Sequence, residues 1–186
     1  MLYFFQVEEP PTKFSEFLAL EKVQKDGFMN YFNSLTRDQE KIVEIVAYCL
    51  MPTHPHLLLR QLKTAGISKF VGNVLNGYSR YFNLKHKRKG PLWEGKFQNK
   101  LVDNDDLLSH IVRYIHLNPV NSHLVEKPED WGYSSHREFI LPDKIKFPMC
   151  QYDTLLDIKP VQFEKFVNDR ISYQRDLQKI KNFITD

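Results

Sequence analysis

Apolar residues gather into one dense run at 42–50 (IVEIVAYCL), rich in β-branched side chains, and the pattern predicts a buried strand there. Met51-Pro52-Thr53 breaks the run, and 54–60 (HPHLLLR) reads as the strand that pairs with it. Over 67–83 the spacing becomes helical, with Ile67, Phe70, Val71, Val74, Tyr78 and Tyr81 at apolar positions. A basic turn follows at 85–91. Residues 92–102 then alternate as a strand, with Trp93, Phe97 and Leu101 on one face and Glu94, Lys96, Gln98 and Lys100 on the other. Asn104 or Asp105 caps the next helix, which is expected to end at Asn118 because Pro119 follows. Residues 131–135 (WGYSS) are turn-rich. Pro142 and Pro148 mark a linker to an amphipathic helix of roughly 161–183. The order helix, strand, strand, helix, strand, helix predicts an α+β fold, an antiparallel sheet with helices on one face. The division expected from this pattern is a main domain at 1–140, with linker and C-terminal helix at 141–186.

Composition changes this picture in one respect. The overall balance of hydrophobic and charged residues is that of an ordinary globular chain, and no apolar run reaches the roughly 18 residues of a membrane span. The apolar start at residues 1–7 has no basic region before it and runs into Glu8-Glu9-Pro10-Pro11, so it makes a poor signal peptide. Cys49 and Cys150 lack metal or disulfide spacing, and Cys49 sits in the apolar run as a small buried residue. The expected setting is reducing and cytoplasmic. The net charge is only +3, but residues 60–100 carry ten Lys/Arg against Glu94 alone, which makes that segment +9 and the remainder −6. Such asymmetry fits a polyanionic partner for one surface, or else a solvated basic helix face. Within the segment Tyr78, Arg80, Tyr81, Phe82, Lys85, Lys87, Arg88 and Trp93 interleave cations with aromatics, the composition of a surface that holds phosphates and unstacked bases. Trp93 fits a core position better.

The candidate chemistry lies in two places. His54 and His56, at i and i+2 on a strand, project from one face and suit two nitrogen ligands on one divalent cation. On the helix that starts at Asp105, about 100° per residue puts Leu107, Ile111, Tyr114 and Asn118 on one stripe, expected to face the sheet. A phenol and an amide one turn apart could set a nucleophile beside a third metal ligand, although on this helix alone Tyr114 reads more readily as a core aromatic than as a nucleophile. His116 falls on the opposite side and is set aside as a ligand, and His110 flanks Tyr114 as a proton-transfer aid or a solvent-facing residue. A tyrosine hydroxyl, with an ordinary pKa of about 10, needs help to attack a phosphodiester, and a divalent cation supplies it. The product would be a 5′-phosphotyrosine link and a free 3′-OH, from which attack by a second 3′-OH rejoins strands.

Three segments carry a resemblance: 48–59 (YCLMPTHPHLLL), 90–97 (GPLWEGKF) and 114–119 (YIHLNP). In this order and spacing they resemble the REP-associated tyrosine transposases, within the wider His-hydrophobic-His single-tyrosine transposase family. The similarity covers about 43–135. The resemblance implies a ferredoxin-like sheet carrying the two histidines and a helix carrying the tyrosine. It further implies Mg²⁺ or Mn²⁺ as cofactor and hairpin-forming or other single-stranded DNA as partner. On this reading His54, His56 and Asn118 are metal ligands and Tyr114 is the nucleophile. Arg60, Lys63, Arg80, Lys85, Lys87, Arg88, Lys89, Lys96 and Lys100 are the expected DNA contacts. A monomer or homodimer, nucleoid-associated in the cytoplasm, goes with it. The chain departs from the family at Pro55, which has no N–H between the histidines, and at Thr53, where Asn is usual. The family's first strand also has no counterpart, since residues 1–6 look like the tail of a helix. That leaves a ladder edge for a partner or the N-terminal apolar run to cover. The alternatives kept open are a degenerate relative that binds hairpin DNA without cutting it, and a replication or mobilisation initiator with the same chemistry.

Overall fold

The computed structural model describes residues 1–36 and 39–170, and its described chain forms two compact units. The first comprises Met1–Glu44 with Arg60–Lys100, and the second begins with Ile45–Leu59 and resumes at Leu101. Two antiparallel strands, β1 (Val43–Leu50) and β2 (Pro55–Gln61), make the sheet and have one end in each unit. Mixed helix and antiparallel sheet make the fold α+β, as the apolar pattern predicts.

In the first unit three short helices, α1 (Phe14–Ala19), α2 (Glu21–Asp26) and α3 (Phe28–Thr36), follow a 3-10 turn at Phe4–Gln6. They enclose a core of Phe4, Val7, Phe17, Val23 and Phe32, with Tyr3, Phe5, Phe14, Phe28 and Tyr31 packed around it. Most of these rings meet edge-on or tilted at 5–6 Å, the arrangement their quadrupoles favour. α4 (Gly66–Lys85) extends the expected helix by one or two residues at each end. It begins at a glycine for a steric reason: a Cβ on Gly66 would sit 2.3 Å from the Ile42 carbonyl oxygen, which also accepts hydrogen bonds from Leu62 and Lys63.

Residues 92–102 form no strand, contrary to the alternation. Alternation makes a strand only where a neighbour supplies the ladder, and among the described residues none does. Leu101 is 85% and Phe97 40% exposed, while Trp93 is held by its indole N–H donating to the Leu75 carbonyl at 3.2 Å.

In the second unit α5 (Asp105–Asn121) lies with α6 (His136–Ile140) and α7 (Pro160–Asn168). Asn104 caps α5, its side chain accepting from the Leu107 N–H at 2.8 Å. The helix does not stop at Asn118 but carries Pro119 inside it and ends at Asn121. The bias against helical backbone before proline is moderate, and Leu117, Asn118, Pro119 and Val120 are all buried, so packing overrides it. Of the expected C-terminal helix, Pro160–Asn168 is present and 171–183 lies outside the described residues.

No strand precedes β1 among the described residues, yet its free edge is covered piecemeal. Gln6 and Glu8 exchange backbone bonds with Glu40 and Ile42 around a Val7–Lys41 bridge. Further along, Tyr133–Ser135 pairs with Tyr48–Leu50, and Gln151 N–H donates to the Ile45 carbonyl beside an Ile45–Cys150 bridge. The N-terminal run thus pairs with the chain just ahead of β1, and segments from beyond α5 pair with Ile45 and with Tyr48–Leu50. β2 is the edge strand with Pro55 as its first residue, a position that demands no ladder N–H. Among the described residues no helix is long and apolar enough to cross a membrane.

Candidate functional site

The turn between the strands closes with Met51 N–H donating to the His54 carbonyl at 3.0 Å, which leaves His54 just before β2 and His56 inside it. Despite the proline between them, the two imidazoles converge: His54 Nε2 and His56 Nε2 are 3.0 Å apart. Thr53 Oγ1 lies 2.9 Å from His54 Nδ1, so the residue that departs from the family pattern still orients the first ring. Burial, then the neighbouring His54, push the pKa of His56 below the usual histidine range, so at neutral pH it presents a neutral ring.

Tyr114 stands on α5 in the same unit, 47% exposed, with its ring edge-on to that of His56 at 5.7 Å between centroids. One turn on, Asn118 is buried and its amide donates to the Tyr114 carbonyl at 2.9 Å. Asn118 makes its hydrogen bonds within α5 and not with the histidines, so His54, His56 and Tyr114 are the residues that the structure brings into contact. Among the described residues no group of three or more His, Cys, Asp and Glu forms a metal cluster. Two imidazoles with an amide oxygen leave the remaining positions to water and phosphate, a donor set that suits Mn²⁺ and, less well, the oxygen-seeking Mg²⁺.

Of the stripe holding Leu107, Ile111, Tyr114 and Asn118, only Asn118 is buried, and Leu107 is 37% exposed. The packing face of α5 runs instead through Leu108, Val112, Ile115, His116 and Pro119. α7 lies against α5, and Phe139 of α6 and Phe163 of α7 flank the His116 ring, so the side opposite that stripe is core. Tyr114 occupies the open flank. His110, also exposed, accepts at Nδ1 from the Arg113 guanidinium at 2.6 Å.

Sequence reasoning missed the polar cluster behind α5. His116, Ser135, His136 and Glu138 are all buried, with Ser134 beside them. The spacing Leu108, Val112, Ile115, His116, Pro119 is itself a helical stripe, and it was the available signal. Glu138 accepts from the Met149 and Cys150 N–H groups at 2.8 Å each, and burial raises its pKa. Burial also raises the thiols of Cys49, to about 12, and of Cys150, so both remain protonated and inert.

In the first unit the basic residues divide into two sets. Arg60 pairs with Glu44, and Lys63 is clamped between Glu8 and Glu40, so their charges are neutralised internally. Arg88 donates to Asn83 and to the Pro91 carbonyl, shaping the turn at 86–91. Lys85 lies over the Tyr81 ring, and Tyr78 contacts Tyr81, Phe82 and Trp93. Arg80, Lys87, Lys89, Lys96 and Lys100 are exposed.

Compared with known proteins, residues 19–118 match the family described as Transposase IS200 like, a span that includes His54, His56, Tyr114 and Asn118. A Haemophilus influenzae protein described as a REP-associated tyrosine transposase is 32% identical over 106 residues, which is 51% of this chain and 60% of the relative. The chain therefore spans less than two thirds of that relative's length. No solved structure matches the chain.

Proposed function

Because this chain belongs to the family of IS200-like transposases, we propose that it cuts and rejoins single-stranded, hairpin-forming DNA through the Tyr114 hydroxyl. The observation that carries this reading is the convergence of His54 and His56 with the Tyr114 ring edge-on to His56. His54, His56 and the Asn118 oxygen would hold a divalent cation, Mg²⁺ or Mn²⁺. When bound, that cation draws charge from the scissile phosphate and favours the negative charge that builds up there.

The chain's own residues do the rest. Tyr114 Oη gives up its proton to water, which its exposure admits, and forms a bond to phosphorus. The bond to the 3′-oxygen breaks, the 3′-oxygen takes a proton, and the 5′-phosphate stays on Tyr114. Attack by a second 3′-OH runs the same steps in reverse, expelling Tyr114 Oη and sealing the strand. The exposed cations of residues 80–100 with Tyr78, Tyr81 and Phe82 supply phosphate and base contacts. The alternative, a degenerate relative that binds hairpin DNA without cutting it, rests on Pro55 and the missing first strand; the 3.0 Å approach of the two rings supports the cutting reading.

The test is to incubate the protein with end-labelled hairpin DNA and Mn²⁺, trap the covalent adduct, and map it by mass spectrometry. The expected adduct is on the peptide that contains Tyr114. An adduct on any other tyrosine, or tight hairpin binding with no adduct in either metal, overturns the proposal.

Binding itself carries a second expectation. Replacing Lys87 and Lys89 with Gln should reduce the slope of log K against log salt by about 1.4, roughly 0.7 per lost single-strand phosphate contact. Lys63→Gln should change the slope by less than about 0.3, because Glu8 and Glu40 already neutralise it. Equal slopes for both substitutions, measured by titration from low to moderate salt, would rule out this division of the basic residues.

A further inference from the structure

His116 touches neither the histidine pair nor the open flank of α5, yet through Ser135 it links that helix to the sheet by hydrogen bonds. Its Nε2 lies 2.7 Å from Ser135 Oγ. Ser135 Oγ in turn accepts from the Tyr48 N–H at 2.9 Å and donates to the Tyr48 carbonyl at 3.1 Å. Tyr48 is in β1, the strand that pairs with β2 and so with His56. His116, Ser135 and Tyr48 all belong to the second unit.

The proton positions follow from the count of donors and acceptors. The serine hydroxyl has one proton, spent on the Tyr48 carbonyl, so His116 Nε2 carries the N–H that Ser135 accepts. The bare nitrogen is then Nδ1, which has no partner. The opposite tautomer would leave a buried N–H unpaired, the costlier choice. His116 is therefore a neutral, fully buried donor wedged among Phe139, Phe163 and His136.

In such a setting an apolar side chain of similar size would be at least as stable, because an imidazole with an orphaned nitrogen gains little from burial. What it adds is direction. The contacts of Leu108, Val112 and Ile115 hold α5 to its neighbours without fixing its slide or rotation, whereas a 2.7 Å bond to a serine locked on β1 fixes both. We infer that His116 is a positioning residue: through Ser135 it sets the register of α5 on β1, and with it the approach of Tyr114 to His56. The inference rests on the proposed role of Tyr114, two residues before it on the same helix.

The test compares the wild-type chain with His116→Leu, which removes the link but leaves the three Ser135–Tyr48 bonds, and with His116→Gln, which keeps an N–H donor. Three quantities are read for each: melting temperature, hairpin affinity, and the single-turnover rate of adduct formation at saturating hairpin DNA and Mn²⁺. The expected result for His116→Leu is an unchanged or higher melting temperature, hairpin affinity within about twofold, and an adduct rate about 10- to 100-fold lower, the scale of an ångström-sized misplacement. His116→Gln should recover most of that rate. A rate that stays at the wild-type value, or that falls only in step with melting temperature or hairpin affinity, overturns the inference.

A fourth reading needs no activity. The His56 ring-proton resonances sense the Tyr114 ring beside them, and Tyr114→Ala gives their position without it. In His116→Leu they should move part of the way to that position. If they stay at the wild-type shift, α5 has not moved and the inference fails. If the wild-type chain forms no adduct, the proposed function fails, and these resonances alone decide the positioning role.

Discussion

Alanine at His54 or His56 is expected to slow adduct formation about 10³-fold without unfolding the protein. A bound divalent cation contributes several kcal/mol to the charge that develops on a transferring phosphate, and each 1.36 kcal/mol is a factor of ten in rate. His54 is exposed in the turn before β2 and His56 is half-buried at an edge strand, so neither removal opens the core. The two nitrogens are 3.0 Å apart, and on the proposal that they serve one ion the double variant should be little slower than either single one. Raising Mn²⁺ should restore part of the rate in His54→Ala, because the defect is in ion affinity while Tyr114 is intact. The measurement is the single-turnover adduct rate across a Mn²⁺ titration, with circular dichroism as the folding control. Multiplicative losses in the double variant, or no response to Mn²⁺, would mean that the histidines do not act as one ligand pair.

How much of this could be read from the chain alone depended on which partner each segment needs. β1, β2, α4 and α5 fall within a few residues of the expected spans, because their periodicities are long and their ends are marked by Met51-Pro52, Gly66 and Asn104. The histidine pair was legible for the same reason, since period two along a strand fixes which side chains share a face. Residues 92–102 misled because alternation describes a segment able to join a sheet and says nothing about whether a neighbour is there. The reverse holds for 131–135, whose turn-like composition concealed its pairing with β1. The burial of His116 was not legible, because the stripe holding Leu107 and Ile111 was the one expected to face the sheet. The other stripe was covered by α6 and α7, helices far along the chain whose packing no local pattern reveals. The buried polar cluster could be seen only once Ser135 and His116, 19 residues apart, were brought together.

That same cluster makes the protein sensitive to acid. Burial pushes the pKa of His136 down from 6.5 to about 4, with neighbouring Arg137 adding to the effect, and burial also holds His116 well below the usual range. His136 is fully buried and neither of its ring nitrogens has a partner, so the folded state has no means of stabilising the charged ring. The sign follows from which state takes up the proton. Above pH 6.5 both rings are neutral folded or unfolded, and stability does not depend on them. Below 6.5 the unfolded chain binds protons that the folded chain refuses, so stability falls with pH until the folded pKa is reached. For His136 alone the loss by pH 4.5 is about 2–3 kcal/mol, at 1.36 kcal/mol per unit, and His116 adds to it. Glu138 acts in the opposite sense, because its raised pKa lets the folded state bind a proton first, but one carboxyl offsets only part of two imidazoles. Against a typical total of about 5–15 kcal/mol this is a large fraction. Urea midpoints are therefore expected to drop steadily from pH 6.5 to 4.5. His136→Phe, which fills the same aromatic pocket beside Phe163, should lift the acid end of the curve while leaving stability at pH 7 nearly unchanged. A wild-type profile that is flat over that window, or a His136→Phe profile parallel to it, would show that these buried histidines are not what limits the fold in acid.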